Sequence, residues 1–131
     1  MSTIAINESI IQGKSFDFAV KIVNLSKTIE IKYDATLLRQ LVRSATSIAA
    51  NVNEASAGQT KKDFITKMAI SSKEAREALF WLRLLKETNY YNIDLEAYIS
   101  DCSELVRILT KIVKTSQGNI AAASRVTTTK N

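Results

Sequence analysis

The stretch DATLLRQLVRSATSIAANVNEA, residues 34–55, decides the fold. Leu38, Leu41, Ala45, Ile48 and Val52 recur at steps of three and four, the spacing that puts side chains on one stripe of a helix. Asp34 stands where an N-cap belongs, with an oxygen able to accept from the first unpaired backbone N–H groups. Leu37, Val42 and Ala49 widen the stripe, and residues 44–53 carry no charge at all. A surface helix normally keeps a charged face toward water. Its lack here predicts cover on more than one side, so Ala45, Ile48, Ala49 and Val52 are read as candidate residues of a subunit interface. The alternative is a solvated face of Ser, Thr and Asn.

The same periodicity extends outward in both directions. Upstream, Ser15 is read as the cap of a first helix with Phe16, Ala19, Val20, Val23 and Leu25 on its apolar side, ending near Lys32. Downstream, Gly58 is read as the C-cap-type residue, and Thr60 with Asp63 as a capping box opening a third helix. Phe64, Met68, Ser72, Ala75, Leu79, Leu82 and Leu85 form that helix's seam, with Asp63/Lys67 and Lys73/Glu77 as i, i+4 ion pairs. Asn89 and Asn92 mark a turn, Asp94 or Asn92 caps a fourth helix, and Leu95, Tyr98, Cys102, Leu105, Leu109 and Ile112 alternate in the same way. Four helices joined by short connections predict an all-α, up-down antiparallel four-helix bundle over residues 15–114, and the uncharged stretch of the second helix predicts that it assembles as a homo-oligomer. Residues 1–14 are read as a flexible arm, and residues 115–131, rich in Ser, Thr and Ala, as a frayed helix end and disordered tail.

Composition agrees with one helical domain. The chain has 131 residues, no proline and three glycines, so the usual punctuation of β-structure is missing. One cysteine excludes an intrachain disulfide and fits a reducing compartment. No apolar run approaches the roughly 20 residues of a membrane span. The N-terminus lacks the basic region of a signal peptide, so a cytoplasmic location is expected.

Chemistry is sparse. With no histidine, the commonest general base and metal ligand are missing, and the glycines are isolated rather than gathered into a phosphate loop. Cys102 lies on a seam and reads as a small core residue. Glu54 reads as a solvated carboxylate at a helix end. No enzyme, metal or cofactor is expected. The net charge of +5, from 18 basic and 13 acidic residues, suits a polyanionic partner. Arg107, Lys111 and Lys114 share one face of the fourth helix, where they can meet successive phosphates. Lys61 with Lys62, and Arg39 with Arg43, form smaller clusters. Each has a structural alternative: cations near a helix C-terminus complement its dipole, Glu104 can pair with Arg107, and Arg39 and Arg43 can pair with an acid of a neighbouring helix. Phe80 with Trp81, and Tyr90 with Tyr91, are candidates for base stacking or for core and turn packing.

Arg43-Ser44-Ala45-x-Ser47-Ile48-x-x-Asn51-Val52-x-Glu54, then Lys62-Asp63-Phe64, Lys73-Glu74-Ala75-Arg76-Glu77 and Trp81-Leu82-Arg83-Leu84-Leu85, resemble the four-helix-bundle proteins of the 23S rRNA intervening-sequence family. That family is similar to the accessory variability protein of diversity-generating retroelements, a barrel-like homopentamer whose basic surface binds nucleic acid and a reverse transcriptase. The resemblance implies a bundle, a pentamer, and RNA or DNA contact, with a protein partner such as a reverse transcriptase as a further expectation. Where the family places Glu-Gly-x-Gly followed by Arg, this chain has Glu54-Ala55-Ser56-Ala57-Gly58-Gln59, which implies that the second helix runs a turn longer. The remaining alternative is a structural or protein-interaction module with no nucleic-acid role.

Overall fold

A computed structural model describes the backbone of residues 3–30 and 34–129 and the side chains of residues 6–29 and 34–123. Four helices account for nearly all of it: α1 (Thr3–Glu30), α2 (Thr36–Ser56), α3 (Lys61–Thr88) and α4 (Glu96–Thr129). Among the described residues there is no strand. Each helix packs on its neighbours in the chain, and α4 closes against α1, while the backbones of the diagonal pairs stay apart among the described residues. This is the contact pattern of an up-down four-helix bundle.

Local chemistry sets the helix starts. The Asp34 carboxylate accepts from the Thr36 N–H at 3.0 Å, and Asp94 repeats the arrangement with the Glu96 N–H at 2.9 Å. Thr60 Oγ1 accepts from the Asp63 N–H at 3.0 Å, half of the expected capping box. At the end of α3, Asn89 takes a left-handed conformation, φ 48°, and Asn92 follows at φ 51°. Asparagine tolerates that region better than most residues. Gly58, by contrast, has no positive φ. A Cβ there would lie 3.1 Å from the Ala55 carbonyl oxygen, so close approach rather than handedness favours glycine.

The α2 seam is buried as read: Leu38, Leu41, Ala45, Ile48 and Val52 are all fully enclosed. So are Cys102, Leu105, Leu109 and Ile112 of α4, and Met68, Ala75 and Leu82 of α3. Small residues let α2 and α3 approach closely: Ser44, Ser71, Ser72 and Ala78 are buried, and the Ser71 hydroxyl donates to the Ile48 carbonyl at 2.9 Å. Tyr91 ties the loops at one end of the bundle. Its hydroxyl donates to the Asp34 carbonyl at 2.9 Å and accepts from the Leu38 N–H at 3.2 Å.

Four expectations are corrected. Residues 3–14 are helical rather than a flexible arm, because the seam of α1 begins at Ile11, which is fully buried, and continues through Ser15, Phe18, Ile22 and Ile29. Ser15 is therefore inside the helix, its hydroxyl turned back to the Gln12 carbonyl at 3.3 Å. Phe16, expected in the core, is 64% exposed. At the other end, α4 continues to Thr129 instead of fraying near residue 115. Ser116 prolongs its seam, and Ile120, one turn on, shares a cleft with Phe64 and Ile65 of α3. The expected end of the first helix near Lys32 lies outside the described residues.

Candidate nucleic-acid interface and subunit face

The residues proposed for an interface on α2 divide. Ala45, Ile48 and Val52 belong to the chain's own core, each fully buried within the single bundle, and Val52 also borders the groove described next. This corrects that assignment: a stripe spaced for a seam is consumed by the seam. Ala49 is only half-buried, and it opens with Thr46, Ala50 and Asn53 onto a groove of about 650 Å³ between α1 and α2. Gln12, Phe16 and Ala19 form the opposite wall. Val20, one turn beyond Phe16, is 43% exposed. The charged residues of α1 nearest this groove face the other way: Lys14 pairs with Glu104 and Lys21 with Asp101 at 3.0 Å, both on α4. The result is a neutral, partly apolar face on a cationic chain.

The opposite edge of the bundle is cationic. Arg107, Lys111 and Lys114 are exposed on the outer face of α4, as their spacing predicts. Glu104 does not neutralise Arg107, since its carboxylate is engaged by Lys14 across the α1/α4 seam. Arg76 of α3 donates to Thr110 Oγ1 at 3.2 Å, and Thr110 lies one turn from both Arg107 and Lys114. Arg76 thereby joins the α4 stripe. On α3 itself Lys62, Thr66, Lys73, Arg76, Phe80 and Arg83 succeed one another at steps of three, four or seven, on the outward side. None of these lysines or arginines forms an ion pair among the described residues. Of the acids on this side, Glu96 holds Lys86, and the hydrogen bond raises the lysine's pKa, while Glu87 borders the same surface depression as Arg76 and Arg83 without closing an ion pair among the described residues.

The other basic candidates are scattered. Lys61 turns into a small cleft with Glu8 and Asn119, while Lys62 borders Gln117 on the stripe side. Arg39 is exposed on α2, diagonally across from α4. Arg43 is a clamp rather than a free cation. Its guanidinium meets Glu74 Oε2 at 3.3 Å and bonds Glu77, drawing α2 onto α3. Lys73 is thus left without the Glu77 partner expected for it, and the Asp63/Lys67 pair does not close either. Burial pushes Glu77 upward, but the Arg43 and Trp81 hydrogen bonds outweigh it and hold its carboxyl below the usual range. Glu54 is exposed, as read.

Sequence reasoning missed Arg76 and Arg83, whose signal is visible only once α3 is known to turn that side outward beside α4. Cys102 is core: its thiol donates to the Ala75 carbonyl at 3.4 Å, and burial pushes its pKa up to about 12. Among the described residues no group of three or more His, Cys, Asp or Glu could hold a metal ion. No described helix is long and apolar enough to cross a membrane.

Arg43, Glu74 and Glu77 of the quoted motif meet across the α2/α3 contact, and comparisons with known proteins agree with that fold. A crystal structure of a protein of unknown function from the S23 ribosomal protein family of Bacteroides thetaiotaomicron is 41% identical. It superposes with a TM-score of 0.74, over 82% of this chain and 98% of that one. No curated protein matches the chain. A family model described as 23S rRNA-intervening sequence protein matches residues 7–111. The chain belongs to the 23S rRNA-intervening sequence protein family.

Proposed function

We propose that this protein is a non-enzymatic, homo-oligomeric bundle that binds nucleic acid through the cationic outer face of α3 and α4. One observation carries the reading. Among the described residues Arg107, Lys111, Lys114 and Arg76 have no carboxylate partner, while Glu104, Asp101 and Glu96 are engaged by other lysines. A row of unneutralised cations meets phosphates at helix-step spacing and releases their counterions. The family names mention a 23S rRNA intervening sequence and a ribosomal protein, which favours RNA as the first ligand to try.

Self-association uses the neutral α1/α2 groove, where two copies of a cationic chain can meet without bringing like charges together. A closed ring, with the pentamer implied by the resemblance to retroelement accessory proteins as its size, repeats the stripe around an axis. Weak single-site binding then becomes avidity. A reverse transcriptase or other nucleoprotein partner would meet the same face.

Fluorescence anisotropy with labelled RNA and DNA between 50 and about 200 mM salt tests this, since log affinity falls with log salt by about 0.7 to 0.9 per phosphate contact. Replacing Arg107, Lys111 and Lys114 together by Ala should flatten that slope by about 2 if each cation meets one phosphate. Arg39→Ala should leave it unchanged. Absence of binding at low salt, or binding indifferent to salt, overturns the proposal.

A further inference from the structure

Within the cationic face stands one aromatic residue that the core does not use. Phe80 is 56% exposed, and with Arg76, Arg83, Leu79, Leu84 and Glu87 it lines a shallow depression of about 420 Å³. Arg76 precedes it by four residues and Arg83 follows it by three, so a guanidinium stands one turn to either side of the ring. The ring is held in place. Trp81 meets it edge-on, with centroids 5.2 Å apart and planes at 73°, and the indole N–H of Trp81 lies 3.5 Å from Glu77, the carboxylate that Arg43 clamps. A flat apolar surface steadied by a neighbouring ring and flanked by cations is what an unpaired base stacks upon while its phosphates meet the arginines. A duplex offers its phosphates but keeps its base faces covered by neighbouring pairs.

We infer that Phe80 is a base-stacking platform and that the nucleic acid bound at the α3/α4 face is single-stranded. This inference rests on the nucleic-acid reading above and adds the class of ligand to it. Phosphate attraction brings either form to the stripe; the exposed ring favours the form whose bases are free.

The test compares a fluorescein-labelled single-stranded RNA of mixed sequence with a hairpin of the same phosphate count, by anisotropy at low salt. Wild-type protein is expected to bind the single strand more tightly. Phe80→Ala should weaken single-strand binding by on the order of tenfold, the usual contribution of one stacked base, and leave hairpin binding unchanged. Phe80→Tyr, which keeps the ring, should restore it. Trp81 is the chain's single tryptophan, so its emission should change when the single strand binds and stay unchanged in Phe80→Ala. Circular dichroism checks that the variants stay folded.

Equal affinity for both RNAs, with Phe80→Ala indistinguishable from wild type, overturns the stacking platform while the salt-dependent binding proposed above stands. Loss of single-strand and hairpin binding alike in Phe80→Ala also overturns it. A fall in the mass of the assembly in Phe80→Ala assigns the ring to a subunit contact and overturns it too. No binding of either RNA by wild-type protein removes both the platform and the reading beneath it.

Discussion

Arg43 begins the motif that marks the family, and its surroundings explain why that position matters for packing. It bonds Glu74, whose side chain is only 13% exposed, and Glu77, which in turn accepts from Trp81. Removing the guanidinium leaves a largely buried carboxylate without its partner. Arg43→Ala should therefore lower stability by about 1 kcal/mol, toward the small end for a lost charged hydrogen bond because the arginine is half exposed. Urea melts check this. The pH dependence has a definite sign. Glu77 is held below its usual range in the folded chain, so its contribution is present above the unfolded carboxyl pKa of about 4.3 and is lost as pH falls through the folded value. In Arg43→Ala that part of the acid destabilisation should disappear, and melts at neutral and acid pH should converge toward each other relative to wild type. Tyr91 makes a second prediction at this scale. Tyr91→Phe strips a bond from the buried Leu38 N–H, in the first turn of α2, where no helical partner exists. A loss of about 1 to 3 kcal/mol should appear in thermal or urea melts, with the helix content unchanged.

At the scale of elements, what could be read from the sequence depended on how cleanly each helix separates its faces. α2 and α4 keep apolar residues on one stripe, and Leu38, Leu41, Ile48, Val52, Leu105 and Leu109 are buried as their spacing requires. α1 is apolar on several sides. Phe16, Phe18, Val20, Ile22 and Val23 admit more than one seam, and only the docking of α2 and α4 chooses Phe18 and Ile22 over Phe16 and Val20. The Thr60 cap was legible because it acts within three residues, whereas Asp34 and Asp94 each stand one residue before the cap position and hold the first helical N–H from there. The cationic face was legible on α4 and, through Lys62, at the start of α3. On α3, Lys73 and Glu77 suggested mutual cancellation, and nothing local reveals that Arg43 engages Glu77 from another helix. The correction on α2 yields its own prediction. Ile48→Ala should cost about 2 to 5 kcal/mol as a core truncation, seen in urea melts, whereas a subunit-surface residue would leave the melting of the single bundle nearly unchanged.

The whole molecule has two unlike edges. Its α1/α2 side carries a neutral groove, and its α3/α4 side bears cations that form no ion pair among the described residues. That asymmetry makes the proposed assembly and the proposed binding depend on each other without sharing residues. Ala49 is the position that separates them. Half-buried in the groove wall and outside the core, it accepts a longer side chain without disturbing the seam formed by Ala45, Ile48 and Val52. In Ala49→Glu, every contact between neutral faces would have to desolvate a carboxylate with no cation opposite it. The wild-type chain should therefore run in light scattering at micromolar concentration as a multiple of its 14.5 kDa, and Ala49→Glu should run well below that multiple with its helicity retained. The same variant keeps every cation of the stripe, so its low-salt binding of RNA should persist but weaken as the repeated sites are lost. A wild-type chain that stays at the monomer mass, or an Ala49→Glu mass equal to wild type, would show that the groove is not where copies meet.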